Sequence, residues 1–160
     1  MSPLTVSALF LLGVSYAYGY SAGAPESVCE DMLPKHPVDA QKTKMPYKIS
    51  VSKNQVKGGD AVDITIGGKT FKGFFLQVRD DKGKPVGEFQ IPANDKYAKS
   101  VNCHNSKTNA ATHKNATDKK DFKLTWKAPG SPGKYTVYAT VAEDGGTFWV
   151  KKPTEVISVS

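Results

Sequence analysis

Residues 102–115 read NCHNSKTNAATHKN. One cysteine, two histidines, amides, hydroxyls and two lysines fall within this short stretch, and its residues are not apolar enough to suggest core. Two kinds of chemistry are conceivable: metal ligation or nucleophilic catalysis. Zinc takes three or four protein ligands at recognisable spacings. His104 and His113 stand nine positions apart, with no Cys-x-x-Cys beside them and no third ligand in register. No metal is therefore expected. The chain also lacks a nucleophile-elbow motif, a paired-carboxylate signature and a glycine-rich phosphate loop opening a helix. An enzyme is not expected, and neither is a cofactor. The remaining reading is an irregular polar loop between strands, satisfying its own backbone and held down by Cys103.

The elements that position this stretch begin with the chain's ends. Residues 1–19, MSPLTVSALFLLGVSYAYG, carry an apolar run from Leu4 to Val14, with Ala17 and Gly19 at the −3 and −1 positions for cleavage before Tyr20. This is the pattern of a secretory signal peptide. The run is too short for a bilayer span, which needs roughly 20 residues, and no other stretch is apolar enough. A secreted protein with residues 20–160 as one domain is the expectation. Cys29 and Cys103 are the two cysteines, 74 positions apart. An even count in an oxidising compartment points to a bridge; two free thiols are the alternative.

The formal net charge is +7, and Arg79 is the single arginine. Between Lys99 and Lys127 seven lysines face Asp118 and Asp121 alone. A secreted basic protein meets anionic glycans, lipopolysaccharide, teichoic acids and membrane surfaces before it meets nucleic acid, so no nucleic-acid partner is expected. Lysine is suited to such diffuse attraction and poorly suited to bidentate phosphate recognition. Lys99, Lys107, Lys114, Lys119 and Lys120 are the candidate polyanion-binding residues; solubilising decoration is the alternative. Asn115-Ala116-Thr117 is an N-glycosylation sequon, and a glycan on Asn115 would shield the neighbouring lysines.

Residues 20–47 are punctuated by Pro25, Pro34, Pro37 and Pro46 and show no period. They predict an extended segment with Cys29 as its anchor and at most one helical turn near PESVCEDML. From Tyr47 onward a period of two takes over. YKISVS, AVDITIGG, GFFLQVRD, VGEFQI, FKLTWKA, KYTVYATVA, TFWV and EVISVS predict eight strands, separated by KGGD, DKGKP, APGSPGK and EDGG turns. GFFLQVRD is apolar throughout, as a strand covered on both faces would be. Trp126, beside Phe122 and Leu124, is expected in the core, while Trp149 is the better candidate for an exposed aromatic. An all-β antiparallel sandwich of the immunoglobulin or fibronectin-III type follows.

Taken in order, YSAGAPESVCEDMLPKH, FKGFFLQVRD, NCHNSKTNAATHKN, FKLTWKAP and YTVYATVAEDGGTFWV resemble the reeler domain, the module at the amino terminus of reelin and the spondins. The resemblance runs across residues 20–160 and is closer still to the small secreted reeler defence proteins of insects. It implies a β-sandwich with a long N-terminal segment packed along it, and a Cys29–Cys103 disulfide stapling that segment to an inter-strand loop. The family's A-x-T-H stretch stands here as Ala110 to His113. Spondin repeats and cytochrome b561-type segments of larger relatives have no counterpart, so matrix assembly and ferric reduction do not carry over.

What the resemblance implies for function is innate immunity: binding of microbial surface polymers (lipopolysaccharide, teichoic acid, glucan), or clumping of blood cells around bacteria. Direct antimicrobial killing is a further possibility, although no basic amphipathic helix is visible to carry it. The alternative is an extracellular-matrix or adhesion module that binds glycosaminoglycans. The chain is read as a monomer.

Overall fold

The computed structural model describes residues 20–160; the signal peptide read over 1–19 lies outside them. Among the described residues, ten strands form two sheets. The four-stranded sheet has the order β1 (Lys48–Val51), β3 (Ala61–Gly67), β8 (Phe122–Lys127), β5 (Glu88–Phe89). The six-stranded sheet has the order β2 (Gln55–Val56), β10 (Phe148–Val159), β9 (Gly133–Ala142), β4 (Gly73–Arg79), β7 (Ser106–His113), β6 (Ala98–Cys103). Every pairing is antiparallel except β2 with β10, which is parallel.

Alternation builds the core. Val62, Ile64 and Ile66 of β3 point inward and are fully buried, while Asp63 and Thr65 face outward. Opposite them, Leu124 and Trp126 of β8 fill the same layer, with Val62 paired to Trp126. Phe74, Leu76 and Val78 of β4 and Val137, Ala139 and Val141 of β9 supply the facing side. Trp126 is buried as expected, and its indole Nε1 donates to the Val86 carbonyl at 3.0 Å. Gly87, at φ 71°, lies against this ring, and a Cβ there would collide with it.

β4 is buried at every position. Its inner face enters the sandwich core, and its outer face (Phe75, Gln77, Arg79) lies under the N-terminal segment. That segment holds one 3-10 turn, Glu26–Val28, where a short helical turn was expected. It forms a second small core of Val28, Cys29 and Met32 with Phe75, Val101, Cys103 and Ala110.

Three expectations are corrected. TFWV and EVISVS are one strand, β10; its register shifts on either side of Lys152 and Pro153 interrupt the period. Pro153 is tolerated because β2 reaches only Ser158 and Val159, leaving that part of β10 an edge. Trp149 is buried, edge-on to Tyr47, with Nε1 donating to Thr43 Oγ1. And residues 102–115 are not a loop. They are most of a hairpin, β6–β7, whose two turn residues His104 and Asn105 both have positive φ (53° and 61°). Both central residues in the left-handed region is the signature of a type I′ turn.

Candidate polyanion-binding surface

The N-terminal segment runs along the outer face of the six-stranded sheet as a U. Its first limb is pinned by the A-x-T-H stretch. Thr112 Oγ1 accepts from the Ala24 amide at 3.0 Å and donates to the Phe74 carbonyl at 2.8 Å. His113 Nε2 donates to the Tyr20 carbonyl at 2.8 Å, which leaves Nδ1 to accept from the Phe74 amide at 3.1 Å. His113 is thereby a neutral imidazole, and burial holds its pKa below the ordinary value. Gly23, at φ 97°, passes so close to the His113 carbonyl that no Cβ fits.

The bend of the U is the disulfide Cys29–Cys103, with Cα atoms 5.7 Å apart. Gln77 Nε2 and Arg79 Nη2 both donate to the Cys29 carbonyl, at 2.9 and 2.7 Å. Arg79 Nη2 also reaches the Glu30 carbonyl at 3.0 Å, its Nε donates to Gln77 Oε1 at 2.7 Å, and the guanidinium lies 5.5 Å from the Tyr138 ring centre. The second limb returns over β9, where Thr140 Oγ1 donates to the Met32 carbonyl at 2.8 Å. Neither Gln77 nor Arg79 stood out in the sequence; a lone arginine in a lysine-rich chain was the available signal. Residues 102–115 hold structure together here, and no group of three or more metal-ligating side chains occurs among the described residues.

The five candidate lysines do not form one cluster. Lys119 is buried, and its Nζ donates to the carbonyls of Lys72, Asn115 and Thr117 at 2.8–2.9 Å. Burial lowers its pKa. This lysine serves the loop before β8 and leaves the candidate surface. Lys114 is exposed but donates to the Ala93 and Asp95 carbonyls. Lys99 pairs across from Thr112 beside His113, and Lys120 is exposed next to Lys119. Asn115 belongs to the same end, its Nδ2 donating to the Lys96 carbonyl at 2.7 Å. Lys107 sits at the other end of β7, about 23 Å away at ~3.3 Å per residue.

At Lys107 the lysines do converge on a concavity. A groove of about 680 Å³ opens between the β6–β7 hairpin and the loops before β3, before β5 and after β8. Lys84, Lys107 and Lys127 line it against one acid, Glu88, with Gly58, Gly59 and Gly130 keeping its walls open. Lys84 and Lys127 were not singled out, because residues far apart in sequence meet only through the sheet topology.

A disulfide-stapled, two-sheet all-β domain with an N-terminal U over its larger sheet defines the class. The Reeler domain family model matches residues 27–160, and the chain belongs to that family. It is 41% identical over 158 residues to "Putative defense protein Hdd11" of Hyphantria cunea, covering 92% of this chain and 94% of that protein. It is 36% identical over 159 residues to ferric-chelate reductase 1 of Bos taurus, covering 96% of this chain but 27% of the reductase. Among solved structures, the human F-spondin reeler domain (fragment 2) superposes with a TM-score of 0.62 at 16% identity, over 76% of this chain and 93% of that one; at this identity the likeness concerns the fold.

Proposed function

We propose that this chain is an extracellular, non-enzymatic defence module that binds anionic polymers of microbial surfaces in the Lys84–Lys107–Lys127 groove. The observation that carries the reading is the convergence of three lysines on one concavity faced by a single acid. The defence role rests on relatives bearing that name, which match over nearly their full length. The disulfide is consistent with an oxidising, extracellular compartment. A glycan on Asn115 would sit at the opposite end of β7 and leave the groove clear.

The test compares binding of lipopolysaccharide, lipoteichoic acid and heparin to the wild type and to two triple variants, Lys84→Gln/Lys107→Gln/Lys127→Gln and Lys99→Gln/Lys114→Gln/Lys120→Gln. Each lysine near an anionic surface contributes about 1 kcal/mol. The groove variant should therefore lose roughly a hundredfold in affinity, and the other variant much less. Raising salt should weaken wild-type binding steeply, since exposed charges are screened within about 8 Å at physiological ionic strength. Equal losses in both variants, or salt-insensitive binding, would remove the groove from the argument. Preference for heparin over the bacterial polymers would favour the matrix reading.

A further inference from the structure

The two limbs of the N-terminal U do not close over the sheet. Between them, above the outer face of β4 and β9, lies a cavity of about 300 Å³. Phe75, Thr140 and Ala142 form its floor, and Ala24, Val28 and Met32 its walls. The polar side chains of its floor and of the adjoining A-x-T-H stretch are already engaged. The Thr140 hydroxyl donates to the Met32 carbonyl and accepts from the Lys151 amide, and both His113 nitrogens are bonded to backbone. Between the limbs the lining is therefore mainly hydrocarbon, from Ala24, Val28, Met32, Phe75 and Ala142. Its size lies at the lower end of small-molecule sites and equals the liquid volume of roughly ten waters, hence roughly ten non-hydrogen atoms of ligand.

The rim is different. Lys72 lines it, 3.1 Å from Asp118 in an ion pair whose members are both about half exposed or more. Such a pair is weak, so a ligand carboxylate can take the place of Asp118. Of the other groups at the rim, His36 stacks edge-on against Phe148 and carries a buried Nδ1 with no hydrogen-bond partner among the described residues. The acid of the lining, Asp144, directs Oδ1 to the Gly146 amide at 2.8 Å.

We infer that this cavity binds a single unbranched aliphatic chain of roughly ten carbons ending in a carboxylate, the tail between the limbs of the U and the head at Lys72. This site is separate from the lysine groove and does not depend on it.

Isothermal titration of the disulfide-intact protein with hexanoate, octanoate, decanoate, dodecanoate and tetradecanoate, each below its micelle concentration, tests the assignment. Affinity should rise about fourfold per added methylene and stop rising beyond the length the cavity holds. Ala142→Leu, which fills the floor, should weaken decanoate at least tenfold; Ala24→Leu serves the same purpose from the wall should the first variant not fold. Lys72→Gln should weaken decanoate several-fold and should not weaken decyltrimethylammonium, whose cationic head loses a like charge beside it and gains access to Asp118. Absence of saturable binding, affinity independent of chain length, or unchanged affinity in a folded cavity-filling variant would overturn the site. Equal effects of Lys72→Gln on both head groups would overturn the placement of the carboxylate.

Discussion

Arg79 is 2% exposed and has no carboxylate in contact; its fork is spent on the carbonyls of Cys29 and Glu30 and on Gln77. Burying a guanidinium is costly, and only complete hydrogen bonding makes it tolerable. Lysine keeps the charge but cannot span the same acceptors. Arg79→Lys should cost about 1–2 kcal/mol and Arg79→Met about 2–3 kcal/mol, because each buried acceptor left unpaired costs about 1–3 kcal/mol before the desolvation relief from removing the charge. Urea unfolding of the two variants checks the order. At His113 the prediction concerns pH. Burial holds its pKa below 6.5, so below that pH the unfolded chain binds more protons than the folded one. Stability is then complete above about pH 6.5 and is lost as pH falls toward the lowered value. His36, also lowered mainly by burial, adds in the same direction. His113→Gln retains a donor for the Tyr20 carbonyl and removes one titration. Its urea midpoint should be lower at pH 7 and should change less between pH 7 and 5 than that of the wild type. Identical slopes would assign the acid sensitivity elsewhere.

The strands read from alternation were those whose burial comes from their own residues. Val62, Ile64 and Ile66, or Leu124 and Trp126, announce an inward face by side-chain type. β6 and β7 were hidden because their burial is supplied from outside: Asn109, Ala110, Ala111 and Thr112 are covered although two of the four are polar and the others small. The N-terminal segment covers the outer side of that strand, and no periodicity within residues 102–115 can report a cover contributed by residues 20–36. The lysine groove was illegible for a related reason, since Lys84, Lys107 and Lys127 share no local pattern. What the stretch did carry was a turn signal in His104-Asn105, an asparagine where the left-handed region is wanted. This element gives its own prediction. Glycine is the preferred second residue of a type I′ turn, and a non-glycine residue there bears a conformational cost. Asn105→Gly should raise stability by about 0.5–1 kcal/mol, read as a shift of the thermal midpoint with the fold unchanged. A loss of stability would mean that Asn105 contributes more than its turn geometry.

For the whole molecule, the question is whether the U and the sandwich are one cooperative unit. The sandwich closes its core with residues from both sheets; Met45 and Tyr47 at the end of the segment reach that layer, while residues 20–36 stay outside it. It has its own small core and is joined by the disulfide, the Arg79–Gln77 clamp and the bonds from Thr112, His113 and Thr140. A bridge across 74 positions restricts the unfolded chain by about 4 kcal/mol in the loop-entropy model. Cys29→Ala/Cys103→Ala should therefore lower global stability by about 4 kcal/mol. The remaining ties are polar contacts of about 1 kcal/mol each and a small apolar core in which the buried residues from the segment are only Val28, Cys29 and Met32, so the segment should also open locally at lower cost than the sheets. Hydrogen exchange distinguishes the two effects. In the cysteine-free protein, amides of residues 20–36 and of the outer edge at β6 should lose protection first, while β3, β4 and β8 exchange only through global unfolding. Because the limbs of the U form the walls of the apolar cavity, decanoate affinity should fall together with protection of residues 20–36. Uniform loss of protection across the sheets would instead make the segment an integral part of the folding unit, with the disulfide acting on the whole domain.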